Sequence, residues 1–177
     1  QKAWGRMTVL AEEMSELSRL EAGTFRLDTK PVDVRQVLEE AIAALPPTDE
    51  TDVTTELAPG KGRAMVQGDP VRLRTAFTSL LLALRRELVS SARLVVQEGP
   101  RTHDGRGVSW IAIGDAEQVG GFSTADPRAL GTFDEWRGGS GLKLAIARRI
   151  IDAHGGAVWS PGDGARAGAV VALPLAE

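Results

Sequence analysis

Apolar positions in the first twenty residues alternate spacings of four and three: Ala3, Met7, Leu10, Met14 and Leu17. That spacing lines one seam of a helix, as in a coiled coil, and Gly23 predicts where the helix stops. A helix of about three heptads is too short to hold together alone in water. It needs a partner helix, in the same protein or a second copy, or its own domain to lie on.

Further along, the periodicity switches repeatedly. A short extended piece around Phe25 and Leu27 is broken by Pro31. Asp33 and Gln36 then stand as a capping box for a helix bearing Val34, Val37, Leu38, Ala41, Ile42 and Leu45, closed by Pro46-Pro47. Strands are predicted at 53–57 and 64–66. Asp69-Pro70 reads as N-cap and first-turn proline of a helix with a wide apolar face of Leu73, Phe77, Leu80, Leu81, Leu84 and Leu88. Two more strands, 94–97 and 108–113, flank a polar turn at 99–107. Residues 114–131 read mostly as loop. A last helix over 142–154 ends at Gly155-Gly156, and strands at 157–159 and 169–173 surround a glycine-rich turn. Interleaved helices and hairpin-connected strands predict a two-layer α/β (α+β) sandwich, with a mixed, mostly antiparallel sheet and helices on one face, preceded by one long amphipathic helix.

Composition narrows the classes. A hydrophobic share of 42% over 177 residues supports a packed core. The net charge of -3, with basic residues scattered, argues for neither nucleic acid nor an anionic membrane as partner. The absence of cysteine excludes disulfides, thiolate nucleophiles and Cys-ligated zinc, and fits a reducing cytoplasm. No apolar run approaches the roughly 20 residues that cross a bilayer. The chain opens without Met and runs at once into helical periodicity, as a fragment of a longer protein would.

The densest chemical signal is Gly138-Gly139-Ser140-Gly141-Leu142 at a helix start. Glycines there let backbone amides approach an anion, and the helix N-terminus favours negative charge. Leu144 after Lys143 excludes a Walker-type loop and a dinucleotide fingerprint, and Leu142 excludes a nucleophile elbow on Ser140. Alone, the cluster is no more than a flexible loop.

Its surroundings add an ordered set of matches. Residues 138–156, GGSGLKLAIARRIIDAHGG, resemble the second glycine box and following helix of histidine kinases. Gly68 to Arg74 resemble the lead-in to that family's asparagine-box helix. Phe133-Asp134-Glu135-Trp136-Arg137 resembles its aromatic box, and Leu17 to Gly23 with Pro31-Val32-Asp33 resembles the end of its second dimerisation helix. The resemblance implies a Bergerat-type ATPase domain over 33–177, a linker over 24–32, and part of a dimerising hairpin over 1–23 carrying Met7, Leu10, Met14 and Leu17. It also implies transfer of phosphate from ATP, with Mg²⁺, to a histidine on another helix.

Measured against that resemblance, the nucleotide site is eroded. The two asparagine positions fall on Ser79 and Ala83, and alanine offers a hard cation no oxygen. The strand end keeps Asp115, which resembles the family's adenine-binding aspartate, while the glycine positions of the first box hold Glu117 and Val119. Side chains there would crowd a nucleotide. Arg86 and Lys143 are left as phosphate candidates beside Gly139, Ser140 and Gly141. Arg137 abuts Gly138, so the lid that would close over a triphosphate is nearly absent. Neither His103 nor His154 sits on a dimerisation helix beside an acid.

The expectation is a degenerate, pseudokinase-like module of bacterial two-component signalling. It would be cytoplasmic, dimeric in the full protein, engaged with a receiver domain or partner kinase, and without ATP, Mg²⁺ or another cofactor. A divergent active kinase that does bind ATP and Mg²⁺, and a phosphotransfer or scaffold protein, are the alternatives.

Overall fold

The structure, a computed structural model, describes residues 2–21, 26–47, 53–60, 62–88, 92–136, 142–161 and 168–177. Helix α1 spans Lys2–Glu21; the predicted stop at Gly23 and the extended Phe25 lie outside the described residues. Strand β1, Lys30–Asp33, pairs antiparallel with β3, Met65–Gly68, as a separate two-stranded sheet. The domain's own structure therefore begins inside the stretch read as linker, and Pro31 sits within a strand instead of breaking one.

Helix α2, Val34–Ala43, starts as expected at Asp33, whose carboxylate accepts the Arg35 amide at 3.0 Å. The reciprocal half of the capping box does not form: the Gln36 amide donates to Glu40 at 3.3 Å instead. Helix α3, Pro70–Glu87, carries Asp69 as N-cap, accepting from Val71 and Arg72, with Pro70 in the first turn. Asp69 also accepts the Asp28 amide through its second oxygen at 3.1 Å, so one buried carboxylate caps the helix and fixes the segment entering the domain.

The main sheet has the order β2-β4-β5-β8-β7-β6. Strand β2 (Thr54–Leu57) runs parallel to β4 (Arg93–His103); every other pairing, through β5 (Arg106–Asp115), β8 (Gly168–Pro174), β7 (Ala157–Ser160) and β6 (Gly131–Thr132), is antiparallel. The turn expected over 99–107 is much tighter. β4 and β5 run as one long hairpin around Asp104-Gly105, both at positive φ (50° and 75°). That is the two-residue geometry an Asp-Gly pair favours.

Helices α2, α3 and α5 (Lys143–Ala153) cover one face of this sheet. Their buried stripes, including Leu38, Leu73, Phe77, Leu81, Ile150 and Ile151, meet Leu94, Val96, Ile111, Ile113, Val171 and Leu173. Each such side chain contributes about 1.5–3 kcal/mol by leaving water. Leu17 of α1 packs against the same cluster, whereas Met7, Leu10 and Met14 are 69%, 47% and 59% exposed.

Residues 116–130, read as loop, hold the short helix α4, Val119–Ser123, and a 3₁₀ turn, Pro127–Ala129. They lie on the opposite, outer face of the sheet. Val119 and Phe122 pack there with Val95 and Ala112, and the Trp110 indole donates to the Phe122 carbonyl at 3.2 Å. Trp110 and Trp159 stack at 5.4 Å beside His103, extending this second, smaller core.

Candidate functional site

The long apolar face of α3 leaves a second stripe on its other side. Thr75, Thr78, Ser79 and Leu82 recur at the i, i+3, i+4, i+7 spacing of one helix face. Together with Arg74 they meet Lys143 and Ile146 of α5 and Glu13 of α1 around a cleft of about 330 Å³. The Glu13 carboxylate lies 3.4 Å from the main-chain N–H of Leu142, the residue that opens α5 and whose own side chain makes no capping bond. An acid at that position satisfies an orphan amide and complements the helix N-terminus. Arg74 lies 4.0 Å from Glu40 of α2.

Of the positions singled out in the sequence, Ser79 and Lys143 line this cleft. Ala83 does not. It is 4% exposed and belongs to the main apolar cluster with Phe133 and Leu144. Arg86 is exposed in the last turn of α3 and is not among the lining residues; its charge, after burial, contributes to holding neighbouring Arg85 below the usual guanidinium range. Asp115 is half-buried at the end of β5 and is used locally: its carboxylate accepts the Glu117 amide at 2.9 Å, starting the turn into α4. Gly139, Ser140 and Gly141, with Arg137 and Gly138, lie outside the described residues.

Glu117 and Val119, expected to crowd a nucleotide, take two different places. Val119 is buried against the outer face of the sheet and Glu117 is solvent-exposed before it. The chain after Asp115 passes to the outer face of the sheet, where Val119 leaves water for the smaller core.

The aromatic box is tied down at both ends of its first three residues. Phe133 enters the main core, and Glu135 lies 3.5 Å from Arg148 of α5. Trp136 is exposed. His103 has an acid neighbour, Asp104 at 3.4 Å, at the hairpin tip and away from any dimerisation helix. His154 joins α5 to the start of α3 and is structural. Among the described residues, no three of His, Asp and Glu converge as a cation cage would require. The oxygens that the cleft offers a ligand are the hydroxyls of Thr75, Thr78 and Ser79 and the carboxylate of Glu13.

Sequence reasoning missed Glu13, Arg74, Thr75, Thr78 and Ile146. The α3 members were readable as the polar stripe opposite the leucines. Glu13 carried no signal, since its partner is 129 residues away.

No family model matches the chain. Among curated proteins it is 26% identical over 193 residues to the sensor protein GacS of Pseudomonas syringae pv. syringae, covering all of this chain and 21% of that protein. It is 29% identical over 162 residues to the probable sensor protein PcoS of Escherichia coli, covering 85% of this chain and 32% of that one. The chain thus spans a fifth to a third of the length of these relatives. Among solved structures, the histidine kinase AdeS of Acinetobacter baumannii matches with a TM-score of 0.68 at 18% identity, over 98% of this chain and 80% of that one. The ATP-binding domain of PrrB from Mycobacterium tuberculosis matches with a TM-score of 0.52 at 22% identity, over 85% and 99%. By sequence along its whole length the chain is similar to sensor histidine kinases, and it has the fold of their ATP-binding domain.

Proposed function

We propose that this chain is a regulatory, pseudokinase-like module of a two-component signalling protein, which engages a receiver domain or a partner kinase without transferring phosphate from ATP. The observation that carries the reading is Ala83. At the position where the family's asparagine would meet Mg²⁺, a side chain with no oxygen is packed into the apolar cluster at 4% exposure. Phosphoryl transfer depends on metal, close approach and closure, each supplied by a different part of the site. The turn of Val119 to the outer face and the near-absence of a lid in the sequence bear on the other two.

Homodimerisation belongs to the same proposal. Met7, Leu10 and Met14 form an exposed apolar seam on α1 that a second helix would cover.

One feature favours the alternative, a divergent active kinase: Lys143 and Arg74 bring two cations to the cleft. Calorimetric titration with ATP and ADP, with and without Mg²⁺, separates the two readings. The regulatory reading expects no metal-dependent heat in the micromolar range. Micromolar, Mg²⁺-dependent binding with transfer to a supplied dimerisation helix overturns it.

A further inference from the structure

On the outer face of the sheet, away from the cleft between α3 and α5, a second cavity of about 390 Å³ opens where β2 stops at Leu57 and β4 runs on. Trp110, Pro59 and Arg101 give it an aromatic, an aliphatic and a cationic wall, and Gln97, Glu98 and Ser123 complete its polar side.

The Arg101 guanidinium lies over the Trp110 ring, its central carbon 4.0 Å from the ring centroid. Stacking satisfies the cation above the ring, but the N–H groups of a guanidinium lie in its own plane and still call for acceptors. Arg101 Nη1 is buried and has no hydrogen-bond acceptor. A donor shut away from water without a partner costs free energy, and such a group marks a place for a missing acceptor.

The neighbouring groups do not supply one. The Glu98 side chain is 3% exposed and faces other partners: one oxygen accepts the Ser109 hydroxyl at 3.0 Å, and the other is ion-paired with Arg35 at 3.6 Å. The Gln97 carbonyl oxygen lies against the Ser123 hydroxyl, which also reaches the Val119 carbonyl at 3.2 Å; in this orientation the amide N–H₂ of Gln97 is left to donate. What remains uncommitted around the cavity is therefore a set of donors, one of them charged, beside Pro59 and an indole whose face Arg101 itself covers.

A planar carboxylate accepts from two such donors at once, and the indole and proline walls suit a carbon skeleton better than a bare inorganic anion. We propose that this outer-face cavity binds a small organic carboxylate, held by Arg101 and Gln97 with its apolar part against Pro59 and the rim of the cavity at Trp110.

Calorimetric titration of the whole chain with benzoate, succinate and inorganic phosphate tests this. Benzoate or succinate should bind saturably, with phosphate weaker by about tenfold or more. Arg101→Met and Gln97→Met should each weaken carboxylate binding by about tenfold, the effect expected for losing a charge-assisted bond. Arg101→Lys keeps the charge without the planar fork and should fall between; it also serves if Arg101→Met fails to fold, with the melting temperature as the check. No saturable binding of either carboxylate to the unmodified chain, phosphate binding as tight as carboxylate, or folded variants that bind as the unmodified chain does, overturns the proposal.

Discussion

The imidazole of His154 accepts the main-chain N–H of Asp69 through Nε2 at 3.0 Å, while its Nδ1 lies 2.7 Å from the Ile150 carbonyl. Only the neutral ring protonated on Nδ1 makes both bonds. The last turn of α5 is thereby pinned to the N-cap of α3, and Gly68 leaves room for the ring: a Cβ there would lie 2.9 Å from His154 Cδ2. His154→Ala should cost about 1–3 kcal/mol, the penalty for stranding a buried amide. Urea unfolding monitored by circular dichroism measures it, and a loss under about 0.5 kcal/mol, ordinary for a surface site, would show that the bond is dispensable.

Asp152, on the exposed side of α5, has its carboxyl pushed above the usual carboxylate range. Burial is the main cause; Arg148 and Arg149 partly offset it, and Glu135 adds to it. The folded state thus holds this proton more tightly than the unfolded chain, so stability contributed by the neutral form is full below the unfolded value and is lost as pH rises through the folded one. Asp152→Asn should stabilise the protein at neutral pH and lose that advantage as pH falls below the carboxylate range. Thermal melts of both proteins across that range would show the two curves converging on the acid side.

The two asparagine-box positions should answer the same substitution differently. Ser79→Asn places its carboxamide in the cleft and should change stability by less than about 0.5 kcal/mol. Ala83→Asn forces the same group into an apolar cluster and should cost roughly 1–3 kcal/mol. Neither should confer Mg²⁺-dependent ATP binding. Equal stability for the two variants would mean that position 83 does reach open space, against its burial here.

The seam of α1 divides into an exposed and a docked part. Met14→Lys should weaken self-association in analytical ultracentrifugation with little change in the unfolding midpoint. Leu17→Ala should lower stability by about 1–2 kcal/mol, since half-burial against the main core recovers only part of a leucine's transfer free energy. A dimer that survives Met14→Lys and Leu10→Lys together would assign self-association to another surface.

Much of this molecule was legible from local chemistry. Asp33 and Asp69-Pro70 announced their helices because a cap needs only a neighbouring amide and a proline that lacks one. The leucine stripe of α3 named its buried face by period alone. Asp104-Gly105 was equally readable as a two-residue hairpin turn, yet the glycines at 99 and 107 drew the turn too wide. Where Glu13 would settle, and that Ala83 would be sealed in, depended on contacts between distant segments.

Strand β5 shows why the sequence ran out. It lies between β4 and β8 and is buried on both faces from Val108 to Gly114. A half-exposed strand would alternate polar with apolar and so declare its two sides; one buried on both reads as a continuous apolar run. The chain's own pattern therefore specified a strand over 108–113, and nothing in it said where that strand would lie in the sheet or which face the following residues would take. Packing decided that. Val119 and Phe122 found an apolar surface open on the outer face, opposite the helices that already filled the inner one.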